Sequence, residues 1–367
     1  MTIRRIEMNR KWIAAATAAA LLLTACGGGA TAAAPQSGAA SGTGEVTPLT
    51  VRMSTTFSEN ETGGMIIKYF MDKLSETSGD AITVKINWGG TLFDSKGEFD
   101  AVSDGAVDLV PLGHMPHVGT LNYLSFPGFA PGGTQKALDY FNELIFHDPE
   151  TSRLIQEEAA DYNIKYLNVI AGGTNALCGK YAFTDLDGYI KDSKTFGNFM
   201  AAQWESLGFQ VTTITPPDVY DGLNRGLIDS TQMALAPMTA MAWYEVAPYW
   251  ALDGTYTAGN MFTVNLDWWE GLTPEQQNAI ETAAKETEQY SRTIYDEAIA
   301  SDIALIEEKT GHKFVEFSQA DIDRLWAACF DATAGAAMDN AGKNGKAEGM
   351  ETILNKAAEL TGYDWQR

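Results

Sequence analysis

With 45% hydrophobic and 11% aromatic residues over 367 positions, the chain has apolar material for two lobes or one large core, which excludes disorder. Its 25 Lys and Arg against 48 Asp and Glu give a formal charge of −23, so nucleic acid is excluded as a partner; the acidity serves solubility and does not identify a ligand. Four His and three Cys, with no C-x-x-C or H-x-x-x-H spacing, leave no expected metal and no expected cofactor.

Arg4, Arg5, Arg10 and Lys11 precede an uncharged run from Trp12 to Ala25, the length of a signal-peptide apolar region and too short for a permanent membrane helix. The run closes on Leu23-Thr24-Ala25-Cys26 and then Gly27-Gly28-Gly29, which resembles the bacterial lipobox. Residues 1–25 are therefore expected to be a lipoprotein signal peptide, with Met8 a second usable start, and Cys26 the lipidated residue. Residues 26–48 are almost entirely Gly, Ala, Ser, Thr and Pro, too poor in apolar surface to order, and are expected to be a flexible tether. Together they predict a protein outside the cytoplasm, anchored by lipid to the cell membrane; a monomer is expected. Once Cys26 is modified, Cys178 and Cys329 remain, as a disulfide or as two buried thiols; sequence separation does not choose.

Val51 to Thr55 reads as a strand, Gly63 to Thr77 as a helix and Ile82 to Asn87 as an alternating strand, so a β-α-β unit opens the body. His114 and His117 flank Met115-Pro116 in a Gly-bounded loop, a weak ligand signal. Lys165 to Ile170 is another strand, ending at Ala171-Gly172-Gly173. Thr273-Pro274-Glu275-Gln276 combines a Thr N-cap, Pro in the first turn and Gln three residues on; no breaker follows until about Thr310, so one helix can brace two lobes. Ser318 with Asp321 marks a further cap before a helix carrying Leu325 and Trp326.

The segment from Phe99 to Asp108 matches that from Tyr220 to Asp229 position by position: aromatic, Asp, small, aliphatic, two polar, Gly, any, aliphatic, Asp. Each copy predicts a helix ended by a left-handed Gly and then a short strand. Two copies predict two related α/β lobes, with ligand outside the carboxyl ends of the strands and so between the lobes. There is no Walker A, G-x-G-x-x-G, G-x-S-x-G or H-E-x-x-H pattern, and pairs such as Glu157-Glu158 and Glu307-Glu308 read as solvated helix faces. Binding is favoured over catalysis, and no enzyme is expected.

Gly90-Thr91-Leu92, Glu98 to Val102 and Gly105 to Leu109 resemble the first-lobe pattern of DctP-type solute-binding proteins, the extracytoplasmic receptors of TRAP transporters. Asp185-Leu186-Asp187-Gly188, Leu207-Gly208, Val219 to Leu223, Gly226 to Asp229, Tyr244 to Tyr249 and Val264-Asn265 with Trp268, Trp269, Leu272 and Pro274 are similar to the rest, in order. The resemblance implies an α/β, two-lobed periplasmic-binding-protein-like fold with a long helix spanning both lobes. It also implies a small-molecule solute as ligand and the TRAP permease membrane subunits as partners. On that basis lobe I is expected to comprise 49–172 and 260–290, lobe II 173–259 and 291–367, and the spanning helix about 274–310. Closure is expected about a hinge near residues 172 and 258.

The family's two carboxylate-binding arginines have no counterpart. Asp192, beside Lys191 and Lys194, falls near one position, and Asn175 falls at the other. Met233 stands where the family has Asn, and Pro216-Pro217 where it has an aromatic. Either Lys191 or Lys194 supplies a looser positive contact to an acid, or the solute is neutral, amphipathic or cationic; the second is favoured. Candidate ligand residues are Phe57, Glu59, Asn60, Trp88, His114, Asn175, Asp192, Thr195, Tyr220, Met233 and Asn260. A receptor for an ABC importer would share anchor and cleft, and is the remaining alternative.

Overall fold

The computed structural model describes residues 45–113, 120–123, 129–191, 194–197 and 201–363. The expected β-α-β unit opens it: β1 (Leu49–Ser54) and β2 (Ile82–Asn87) pair in parallel around α1 (Thr62–Ser78). On α1, Ile66, Ile67, Phe70 and Leu74 recur at helical spacing and are buried on the sheet. Next come α2 (Gly97–Ser103), β3 (Leu109–Gly113), β4 (Phe129–Pro131), α3 (Gly133–Asn142) and α4 (Pro149–Asp161). The long β5 (Ile164–Gly179) follows, then α5 (Leu186–Ile190), β6 (Lys194–Gly197), α6 (Ala201–Ser206) and β7 (Gln210–Thr213). The chain continues through α7 (Val219–Arg225), β8 (Ser230–Ala234) and α8 (Leu235–Ala240) to the long β9 (Tyr249–Asn265). After α9 (Leu266–Glu270), three helices finish it: α10 (Pro274–Thr310), α11 (Gln319–Lys343) and α12 (Ala347–Thr361).

The strand order is β2-β1-β3-β9-β5-β8-β6-β7, with β4 also on β9. It is symmetric about the β9–β5 pair: a parallel triplet lies on each side, β2-β1-β3 and β7-β6-β8. The sequence echo occupies equivalent places. In both copies a helix, α2 or α7, ends at a left-handed glycine, Gly105 (φ 71) or Gly226 (φ 74), before β3 or β8 begins.

The aspartate that closes each copy has a shared job. Asp108 donates its amide to the Arg52 carbonyl at 2.8 Å and accepts the Arg52 amide at 2.7 Å. Asp229 donates to the Lys194 carbonyl at 2.6 Å and accepts the Lys194 amide at 3.4 Å. Each therefore locks one parallel strand to its neighbour. The fold is the two-lobed α/β architecture expected, and β5 and β9 cross between its halves. Their antiparallel register slips between Ile170 and Ala176, which leaves the crossing irregular just where the hinge is expected.

α10 carries the full capping box: Thr273 accepts the Gln276 amide at 3.3 Å and the Gln276 side chain accepts the Thr273 amide at 3.0 Å. Its early residues Ala279, Ile280 and Ala283 pack with Val51 and Met53 of β1, Phe70 of α1 and Phe262 of β9. Ile306 joins Val219 and Leu223 of α7, Trp243, and Trp250 of β9 on the other side. Between them the Ala171 amide donates to Ser291 Oγ at 2.8 Å, pinning the helix to the crossing strand. Thr273→Ala is expected to lower stability by about 1 kcal/mol in thermal or urea unfolding, as loss of an N-cap does; an unchanged midpoint would show that packing alone holds this end.

A third apolar cluster joins α3, α4, α11 and α12 through Phe141, Ile155, Trp326, Phe330 and Leu354. Within 291–367, α12 packs on α11 and also on α3 and α4. The lipidation residue Cys26, with the signal segment and most of the tether, lies outside the described residues. Cys178 and Cys329 are buried free thiols, and burial pushes both up from the usual thiol range. Among the described residues no helix is long and apolar enough to cross a membrane.

Candidate ligand site

In the first triplet β1 ends at Ser54 and turns through residues 55–61 into α1; in the second, β8 runs straight into α8. A cavity of about 480 Å³ lies where these two carboxyl ends meet. The first side contributes Phe57, Glu61, Thr62 and Gly63, and the second Leu235, Ala236, Pro237, Ala240 and Met241. Gly173 and Thr174 of the crossing strand and Tyr295, Ala298, Ile299 and Asp302 of α10 complete the wall. A larger cavity of about 670 Å³ lies between α3, α11 and α12, lined by Lys136, Tyr140, Ile322 and Leu360. It is away from the strand ends, so position rather than size selects the smaller one.

The turn into α1 sets one wall. Phe57 lies flat on the first turn, where a Cβ at residue 63 would stand 2.4 Å from its ring, so only glycine fits. Glu61, the N-cap residue of α1, accepts the Ser58 amide at 2.8 Å and holds the turn. On α10, Tyr295, Ala298, Ile299 and Asp302 fall at i, i+3, i+4 and i+7, one face of the helix. Asp302 is half-buried, and burial pushes its carboxyl up to about 6. Among the described residues neither its carboxylate nor the Tyr295 hydroxyl has a hydrogen-bond or ion-pair partner.

A buried polar network lies at the crossing. Asn175 donates to Thr255 Oγ1 at 3.0 Å, and Thr255 donates its amide and hydroxyl to Asp253 Oδ1 at 2.8 and 2.7 Å. Gln232 donates to Asp253 Oδ2 at 2.6 Å. Burial pushes Asp253 up to about 6, against the pull of those donors.

The expected site residues separate accordingly. Phe57 lines the cavity, and Thr174 and Leu235, close in sequence to Asn175 and Met233, line it in their stead. Asn175 is buried in the Thr255 network. Glu59 is exposed and paired with Lys68 at 3.1 Å, and Asn60 is exposed. Trp88 packs on the first lobe's core. Met233 and Tyr220 pack on the second lobe's core, and Tyr220 donates to Glu245 at 2.8 Å. Thr195 is buried and donates to the Ser230 carbonyl at 3.2 Å. Asn260 is half-buried in β9 between Gly113 and Ile170. Lys191 and Lys194 are exposed, away from the cavity lining. His114 and Asp192 lie outside the described residues. Glu61, Thr174, Tyr295 and Asp302 line this cavity without having been among the expected residues; the helical stripe from 295 to 302 was the available signal for the last two.

The pattern that defines bacterial extracellular solute-binding protein, family 7, matches residues 53–334. A solute-binding protein of Roseobacter denitrificans is 22% identical over 281 residues, covering 74% of this chain and 83% of that protein. The ectoine-binding periplasmic protein TeaA of Halomonas elongata is 24% identical over 164 residues, 43% of this chain and 46% of its own length. Among solved structures, a TRAP periplasmic solute-binding protein of Ochrobactrum anthropi, its C-terminus bound in the ligand-binding pocket, gives a TM-score of 0.72. It is 19% identical, over 87% of this chain and 97% of that one. Another from Roseobacter denitrificans, with bound β-D-glucuronate, gives 0.64 at 16% identity, over 84% and 98%. At these identities the structures speak for the fold.

Proposed function

The chain belongs to bacterial extracellular solute-binding protein family 7, and from that premise we propose that it captures a small solute between its lobes and hands it to a TRAP-type permease. The cavity at the facing strand ends of the two parallel triplets carries this reading. Capture needs no chemistry on the solute, so bound material is expected to be recovered unchanged. The Leu23-Thr24-Ala25-Cys26 sequence supports anchoring through lipid on Cys26, with residues 26–48 as the tether. Lobe I is built on β2-β1-β3 and lobe II on β7-β6-β8, and the hinge lies in the slipped register of β5 and β9.

A ligand that stabilises the fold is to be found first by thermal shift; at a hundred times its dissociation constant it adds about 2.7 kcal/mol. Small-angle scattering is then expected to give a smaller radius of gyration with that ligand than without it. Identical curves at saturation would sink lobe closure.

A further inference from the structure

We infer that the solute presents a positively charged nitrogen group, carried on an apolar body, to Asp302 and Glu61 in the interlobe cavity. The inference rests on the receptor reading and adds the charge of the cargo. Among the described residues that line the cavity there is no Lys, Arg or His, and the two carboxylic acids are Glu61 and Asp302. Apart from Thr62 and Thr174, the rest of the wall is apolar or aromatic, with Phe57, Met241, Tyr295 and Ile299 around it.

The two acids are not equivalent. Glu61 sits at the N-cap of α1, where the helix dipole answers part of its charge and the Ser58 amide holds one oxygen. Asp302 stands inside a 37-residue helix, far from either end, where no dipole helps it. It is half-buried beside apolar neighbours and has no cation or donor among the described residues. Desolvating a carboxylate without a partner is costly, and a ligand cation removes that cost. Phe57 and Tyr295 are the aromatic residues of the described lining, and aromatic rings also favour a cation.

An anion meets the opposite conditions. Asn175 has its amide committed to Thr255, and the buried acid Asp253 stands behind it. Lys191 and Lys194 are exposed and do not line the cavity.

The test uses the whole chain in detergent, with thermal shift against phenethylamine, agmatine and choline on one side and phenylpropionate, malonate and glucuronate on the other. Stabilisation by members of the first set is expected. Asp302→Asn should weaken the best of them ten- to hundredfold by calorimetry, the loss of a charge-assisted contact. Asp302→Glu should keep most of the affinity, and unliganded Asp302→Asn should melt no lower than the parent. Stabilisation by carboxylates alone, or amine affinity unchanged in Asp302→Asn, overturns the inference and leaves the receptor reading standing. No stabilisation by any compound of either set counts against both.

Discussion

Replacing Glu158 by alanine is expected to destabilise the protein by about 3–5 kcal/mol, the cost of breaking a buried charge pair and leaving its partners unanswered. The Glu158 side chain is 2% exposed. One oxygen accepts the Asn122 amide at 3.0 Å, the Asn122 side-chain nitrogen at 2.8 Å and Lys346 Nζ at 2.8 Å; the other accepts the Tyr123 amide at 2.8 Å. Asn122 passes the connection on, its side-chain oxygen accepting from Asn340 at 3.0 Å and Asn344 at 2.8 Å. One carboxylate thus joins α4, the segment at 121–123 and the turn between α11 and α12.

Removing it strands three N–H groups and a lysine. Urea unfolding should show the midpoint fall with little change in slope. Lys346→Met should cost less, because Lys346 is partly exposed and the carboxylate keeps its other donors. A Glu158→Ala loss below about 1 kcal/mol would mean the network holds nothing that packing of α12 does not already hold.

Legibility in the sequence followed the backbone. The echo at 99–108 and 220–229 was readable because a left-handed glycine and a strand-locking aspartate report main-chain geometry, which the residues themselves dictate. Thr273 and Gln276 were readable for the same reason. The cavity lining was not, because it depends on which face a side chain takes after tertiary packing. The register slips between Ile170 and Ala176 bring Thr174 to the cavity and leave Asn175 in the Thr255 network. A one-residue change in a strand exchanges faces, and no local signal marks the slip. Glu59 and Glu61 show the same limit in a turn: the seating of Phe57 on Gly63 is a packing outcome, and it brings the second acid, not the first, to the site.

Glu98 is as buried as Glu158, also 2% exposed, but has no cation among the described residues, and so it should make the protein less stable as pH rises. It starts α2 beside the carboxyl end of β1. Burial, with Asp94 adding, pushes its carboxyl up to about 8, while the Thr56 amide and Ser54 hydroxyl pull back without forming a well-made bond to Oε1. The sign follows from proton counting. Between the ordinary glutamate value of 4.5 and about 8, the folded state holds a proton that the unfolded state has released. Stability from this group is therefore full below the lower value and declines toward the upper one, by at most about 1.4 kcal/mol per pH unit.

Asp302 and Asp253, both pushed up to about 6, slope the same way at lower pH, so the parent protein alone cannot isolate Glu98. Glu98→Gln can, since it keeps the shape and removes the titration. Its unfolding free energy should exceed the parent's by on the order of 2–4 kcal/mol at pH 8, with the gap closing toward pH 5. Parallel pH profiles for the two proteins would show that Glu98 is already ionised in the fold, and that some donor reaches it which the packing around Ser54 and Thr56 does not provide.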